Sequence, residues 1–292
     1  MRKEQSQIQH QGQKPQRYST TPEDFGKMYE PVNAGEIRRQ KNASALKKYL
    51  REFAADWDTR VSNLNTLRRG KVLKDLKKSL REDKYVGVQM DTYKSLIADV
   101  VYAFQDIRIV EVIREICNIG ECSADASLYA GGISSMSENQ FLKPHLDNSH
   151  DQKRDKWRVL NLLYYTTPDW KKEFGGNLEV WPKGLKGNPT TIVSKFNRLI
   201  VMGTDINAWH SVSPVVVENR RNCVSNYYFS NTPLSKEDSF HVTTFRGWPR
   251  QKLENAVLRF DSFARMCIRK IFPKGIVKNP HVYIQKDNEN ND

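Results

Sequence analysis

Apolar residues along this chain follow two different periods. Near the N-terminus they recur every three or four positions, and residues 35–80 read as helix on a stripe formed by Leu46, Leu50, Phe53 and Trp57, with Lys and Arg between. A second helix is predicted over residues 93–116, where Leu96, Val100, Phe104, Ile107, Val110 and Ile113 repeat at the same spacings. The pattern then shortens to strand-sized segments at 126–135, 158–165, 177–181, 190–193, 198–202 and 223–229, separated by Gly, Pro, Asn and Asp. Strands this short and this regularly interrupted predict a sandwich, barrel or jelly roll, with the helices packed against one face. A last basic helix is expected over 250–271, carrying Leu253, Val257, Phe260, Phe263 and Ile268.

These changes of period divide the chain. Residues 1–24, rich in Gln, Ser and Lys, are expected to be a disordered lead-in. Residues 25–118 form an N-terminal helical region, 119–235 the β core, and 236–292 a basic helical extension with a polar tail.

Composition narrows the class. No apolar run approaches the roughly 20 residues of a membrane span, and the opening MRKEQSQIQHQ has no apolar signal-peptide core, so a cytoplasmic location is expected. Four cysteines without CxxC spacing fit reduced thiols better than a disulfide framework or a structural zinc site. The net charge of +13 is compatible either with solvated helix faces or with an anionic macromolecular partner docked on the basic helices. Zinc-finger and RNA-binding signatures are missing, which speaks against nucleic acid. Oligomeric state is not written in the pattern.

Candidate chemistry starts at FLKPHLDNSH. His145 and Asp147 are two residues apart, so on a strand they project to the same side and can chelate one divalent ion. His210, in AWHSVSP, is the candidate third ligand. Two histidines and one carboxylate on one face of an octahedral ion leave three positions open, the arrangement of non-haem iron(II) oxygenases; zinc hydrolysis is the competing chemistry. Downstream, a turn at Glu218–Asn219 leads to a strand that begins with Arg220 and Arg221. An arginine returning beside His210 can pair bidentately with a carboxylate. Alternation puts Arg221, Cys223, Ser225 and Tyr227 on one face and Arg220 on the other, which prefers Arg221 and keeps Arg220 as the alternative.

The ordered text HLD, RVLNLLYYTTPDWKKEFGGNLEVWP, FNRLIVM, WHSVSPV and RNCVSNYYF resembles the prolyl 4-hydroxylase-like branch of the iron(II)/2-oxoglutarate oxygenases. That resemblance spans about residues 127–230. It implies an α+β fold in which a double-stranded β-helix, the jelly-roll or cupin-like core, is flanked by N-terminal helices and a C-terminal helix. It further implies Fe(2+) held by His145, Asp147 and His210, with 2-oxoglutarate as cosubstrate bound by Arg221 (Arg220 the alternative) and Tyr165. The spacing from His210 to the basic residue is slightly longer than the usual family form. Dioxygen is the oxidant, and ascorbate can serve as a reductant in this family. The implied reaction is oxidative decarboxylation of 2-oxoglutarate to succinate and CO2, coupled to hydroxylation of an unactivated C–H bond in a peptidyl or small-molecule substrate. Two rival readings stay open: a non-catalytic jelly-roll binding protein docking on an acidic partner, and a zinc or manganese enzyme using the same ligands. Leu178, Trp181 and Val212 read as packing around the site, Gly175–Gly176 as a turn, Arg198 as a turn cap and His150 as a loop residue.

Overall fold

The computed structural model describes residues 18–20, 75–93, 95–273 and 282–283. Among the described residues, thirteen strands and three α-helices carry the fold. In chain order the strands are β1 (Tyr18–Thr20), β2 (Asp75–Lys78), β3 (Glu82–Gly87), β4 (Ser123–Ala124), β5 (Gly132–Met136), β6 (Phe141–Leu146), β7 (Trp157–Tyr165), β8 (Leu178–Val180), β9 (Thr190–Ile192), β10 (Arg198–Gly203), β11 (His210–Val212), β12 (Arg221–Ser230) and β13 (Thr244–Phe245). The helices are α1 (Ser95–Ala103), α2 (Ile107–Cys117) and α3 (Lys252–Ile271). All strand pairings are antiparallel, and the main path runs β1-β10-β7-β12-β5-β3-β6-β11-β8-β9. This curled sheet is the double-stranded β-helix, with β10-β7-β12-β5 as one wall and β6-β11-β8-β9 as the other.

The long β7–β12 pair explains where the core lies. Leu160, Leu162 and Tyr164 of β7 and Val224 and Tyr228 of β12 face outward and are buried with Ile97, Val100, Val101 and Phe104 of the α1 segment and Ile109, Val110 and Ile113 of α2. Asn226 donates to the Val101 carbonyl at 3.1 Å and the Tyr228 hydroxyl to the Phe104 carbonyl, so polar groups on this face are satisfied by the frayed end of α1. On the other face of the same strands, Leu163, Tyr165 and Cys223 pack with Leu178, Val180, Ile200 and Met202 inside the β-helix.

Several sequence expectations change. The predicted helix over 93–116 is two helices, because Asp106 caps a new one: its side chain accepts from the Arg108 N–H at 2.9 Å, and the second helix closes on Asn118 in a left-handed conformation. The expected strand over 126–135 starts only at Gly132. Before it, Asp125 accepts from the Ser127 and Tyr129 N–H groups, and Leu128 and Ala130 take positive φ, which makes a turn. Residues 75–78 and 82–87, in the region expected to be helical, are strands. Their Lys/Asp-rich text hides the alternation, and β3 joins the two walls by pairing with both β5 and β6. Tyr18–Thr20, expected to be disordered, forms an edge strand on β10. The sheet therefore draws on strands outside 119–235. The expected stripe at Leu46, Leu50, Phe53 and Trp57 lies outside the described residues.

The C-terminal helix is found, but turned over. Leu258 and Ser262 are buried, while Leu253, Val257, Phe260, Phe263 and Ile268 face outward, because α3 binds the core through ion pairs from its polar side. Among the described residues no helix is long and apolar enough to cross a membrane.

Ile113 is 1 % exposed at the centre of the helix-to-sheet contact. Ile113→Ala is expected to cost about 2–5 kcal/mol of unfolding free energy, measured by urea denaturation.

Candidate metal centre

Strand register brings the histidines together. His210 of β11 pairs directly across from His145 of β6, and Phe245 of β13 pairs with His145 on its other side. The imidazole ring centroids are 4.1 Å apart, and Phe245 stacks on His145 at 5.1 Å. Asp147 follows the end of β6, with its carboxylate oxygens 3.6 Å from His145 Nε2 and 3.8 Å from His210 Nε2. One donor atom from each residue lies within 4.8 Å of the others.

Hydrogen bonding orients both rings. His145 Nδ1 is 2.9 Å from the Lys143 carbonyl, and His210 Nδ1 is 2.9 Å from the Ala208 carbonyl. A carbonyl only accepts, so each Nδ1 carries the proton and each Nε2 lone pair points into the site, the tautomer a metal requires. Burial pushes the Asp147 carboxyl up, but His145 and His210 in their protonated forms, with Arg158, outweigh it and hold the group well below the usual carboxylate range. It is ionised at neutral pH. Asn161 of β7 donates to Asp147 Oδ2 at 3.0 Å and fixes the carboxylate from behind.

The three side chains open onto a cavity of about 270 Å³, between the walls of the β-helix. Arg221, Cys223, Ser225 and Tyr227 all line it, as strand alternation predicts for β12. Arg220 does not. Its guanidinium lies 5.3 Å from the Tyr85 ring. Arg221 is 2 % exposed, its guanidinium sits 4.8 Å from the Tyr165 ring, and its closest polar contact is Ser194 Oγ at 3.5 Å. Among the described residues it has no carboxylate partner. The Tyr165 hydroxyl is fully buried behind the cavity wall with only Arg221 and Ser194 as loose polar neighbours among the described residues, and burial pushes its pKa up to about 12 against their pull. A buried guanidinium without a carboxylate is costly unless an anion joins it. These residues therefore fit a ligand carboxylate.

The Gly175–Gly176 turn packs tightly against Pro214 and Val215, beside the Arg221 side chain. Both glycines have positive φ, and a Cβ at Gly175 would fall 1.9 Å from the Pro214 carbonyl oxygen. Of the packing residues, Leu178 and Val212 line the cavity. Trp181 sits behind it, donating to Ser211 at 3.0 Å. Arg198 binds the Val193 carbonyl at 2.9 Å, away from the cavity. His150 packs on Trp157 and lines a neighbouring cavity.

Two site residues escape the sequence pattern. Asn161 is legible only as a polar residue within RVLNLLYY on the Leu163/Tyr165 face. Arg158 has the parity of Leu160, yet it is buried in the cavity, 3.8 Å from the Tyr227 ring, with its Nε unpartnered. The β7–β12 register slips between Tyr228 and Phe229, so that Phe229 faces Arg158 while Val159 is passed over, and this irregularity turns Arg158 inward.

Residues 131–229, about a third of the chain, match the family described as the 2OG-Fe(II) oxygenase superfamily. It is the superfamily that the sequence motifs resemble, and Fe(2+) and 2-oxoglutarate are the cofactors that go with it. No curated protein matches the chain. Among solved structures, a prolyl-4-hydroxylase from Pseudomonas putida is similar at 14 % identity and TM-score 0.44, over 60 % of this chain and 87 % of that one. A prolyl hydroxylase from Trichoplax adhaerens, in complex with a hypoxia inducible factor peptide fragment, shares 18 % identity over 59 % of this chain and 75 % of that one, TM-score 0.41. HygX from Streptomyces hygroscopicus, with nickel and 2-oxoglutarate bound, shares 13 % over 59 % and 78 %, TM-score 0.40.

Asn161→Leu removes the donor behind Asp147 and is expected to weaken divalent-metal binding about 10–100-fold, read by Mn(2+) titration of the folded protein.

Proposed function

We propose that the chain is a hydroxylase in which His145, Asp147 and His210 hold Fe(2+) and Arg221 and Tyr165 bind the distal carboxylate of 2-oxoglutarate. The observation that carries this reading is the pairing of a buried two-histidine, one-carboxylate cluster with a buried arginine that has no carboxylate partner among the described residues, both in one cavity. When bound, the iron supplies activation of dioxygen, with 2-oxoglutarate giving up two electrons as it is converted to succinate and CO2. The protein's own part is to orient and to exclude water. The two Nδ1–H bonds hold the imidazoles, Asn161 holds Asp147, and Leu163, Leu178 and Val212 present apolar surface around the open side. Arg158 lines the same cavity, 3.8 Å from the Tyr227 ring, and its positive charge beside the metal ligands suits a peptidyl or small-molecule substrate carrying a carbonyl or anionic group. The division into a β-helical core, a helical N-terminal region and a C-terminal helix is kept as part of this proposal, with β1, β2, β3 and β13 now counted in the core.

Purified protein supplied with Fe(2+) should convert 2-oxoglutarate to succinate, and His145→Ala or Asp147→Ala should reduce succinate formation to background. Full iron-dependent turnover by either variant would sink the assignment. Arg221→Leu is expected to raise the KM for 2-oxoglutarate by about 10–100-fold, the loss of a buried charge-assisted pair, whereas Arg220→Leu should leave it within about twofold.

A further inference from the structure

Helix α3 is amphipathic, yet its polar side is the one that faces the protein. Glu254 pairs with buried Lys143, which also donates to Gln251 at 2.9 Å, and Asp261 pairs with Arg81 and with Arg265 at 2.9 Å. Both acidic residues of the helix are thus spent on inward ion pairs. Leu258 and Ser262 complete the inner face.

The outer face carries an apolar stripe flanked by cations, half-buried at Ala264 and Cys267. Leu253, Val257, Phe260, Ala264, Cys267 and Ile271 recur at alternating intervals of four and three, which on a helix draws one stripe. Leu253 is 79 % exposed, Phe260 72 %, Phe263 65 % and Ile271 71 %, and Phe272 extends the stripe past the last turn. Twenty helical residues make a stripe about 30 Å long. A monomeric protein rarely leaves so continuous an apolar surface to water. The charges that remain exposed along this helix and its start are Arg250, Lys252, Arg259 and Lys270, all cationic.

We infer that α3 is a docking face for an anionic lipid surface, lying in the plane of the interface with Phe260 and Phe263 inserted and Arg250, Lys252, Arg259 and Lys270 at the level of the headgroups. Charge selects this occupant. A second copy would bring the same four cations against themselves, whereas a phosphatidylserine-bearing leaflet is complementary to them and to the net charge of +13. The geometry is that of an interfacial helix, with apolar face outward and basic residues at its margin. Because Arg265 on the inner side of the same helix lines the metal-site cavity, docking would hold that cavity close to the lipid surface.

The test is co-sedimentation of the full chain with vesicles of phosphatidylcholine alone or with added phosphatidylserine. Binding to the phosphatidylserine vesicles, weakened by salt, is expected. The double variant Phe260→Ser/Phe263→Ser should lower the partition coefficient by more than about tenfold, from the apolar area withdrawn. The double variant Arg259→Gln/Lys270→Gln should lower binding to the phosphatidylserine vesicles only. Both pairs are surface residues, and unchanged circular dichroism and 2-oxoglutarate turnover would show that fold and site are intact. No binding to the anionic vesicles, equal binding to both vesicle types, or unaltered binding by the Phe variant would overturn the inference. So would a dimer in sedimentation velocity that the Phe variant dissociates, since α3 would then be covered by a second copy.

Discussion

The two-residue period of the β7–β12 pair is the constraint from which the rest follows. Because successive side chains leave a strand on opposite faces, one ladder presents Leu160, Leu162, Tyr164, Val224 and Tyr228 to the helices and Asn161, Leu163, Tyr165, Arg221, Cys223 and Tyr227 to the interior. A slip of one residue would exchange the two sets, burying Asn161 and Arg221 against α1 and α2 and turning the apolar set into the cavity. The helices therefore do more than cover the sheet. By taking up the apolar set they fix the register that aims the polar set at the site.

The opposite wall completes the arrangement through a second register. β6 and β11 place His145 and His210 face to face, and the two carbonyls at Lys143 and Ala208 choose the same tautomer for both rings. Asp147 belongs to the strand end, so its position depends on the Asn161 hydrogen bond that crosses from the other wall. The His145–Asp147–His210 cluster and the Arg221 end of the cavity are thus joined by the closure of the β-helix, and loosening either wall disturbs both.

Arg158 and α3 show the same physics from the other direction. Each breaks the pattern expected of its element, one by a register irregularity and the other by inward ion pairs, and each puts an unexpected group outside the core: a guanidinium on the cavity wall, an apolar stripe on the surface.

By itself the sequence determined the β-type centre and the helices on either side of it, the HxD pair with His210, and the side of β12 on which Arg221 stands, because these rest on local periods of 2 and 3.6 that hold whatever the chain packs against. The family resemblance added the β-helix and the cosubstrate. Only the tertiary structure decided the matters that depend on a partner strand or helix. Lys- and Asp-rich β2 and β3 become strands because neighbouring edges pair with them, and Arg220 lies beside Tyr85 because the cavity is on the other face of β12. Arg158 enters the cavity because the β7–β12 register slips, and α3 turns its apolar stripe outward because Lys143 and Arg81 of the sheet hold its acidic side. Amphipathic spacing gives a helix two faces, but which of them meets the core is set by the charges waiting there.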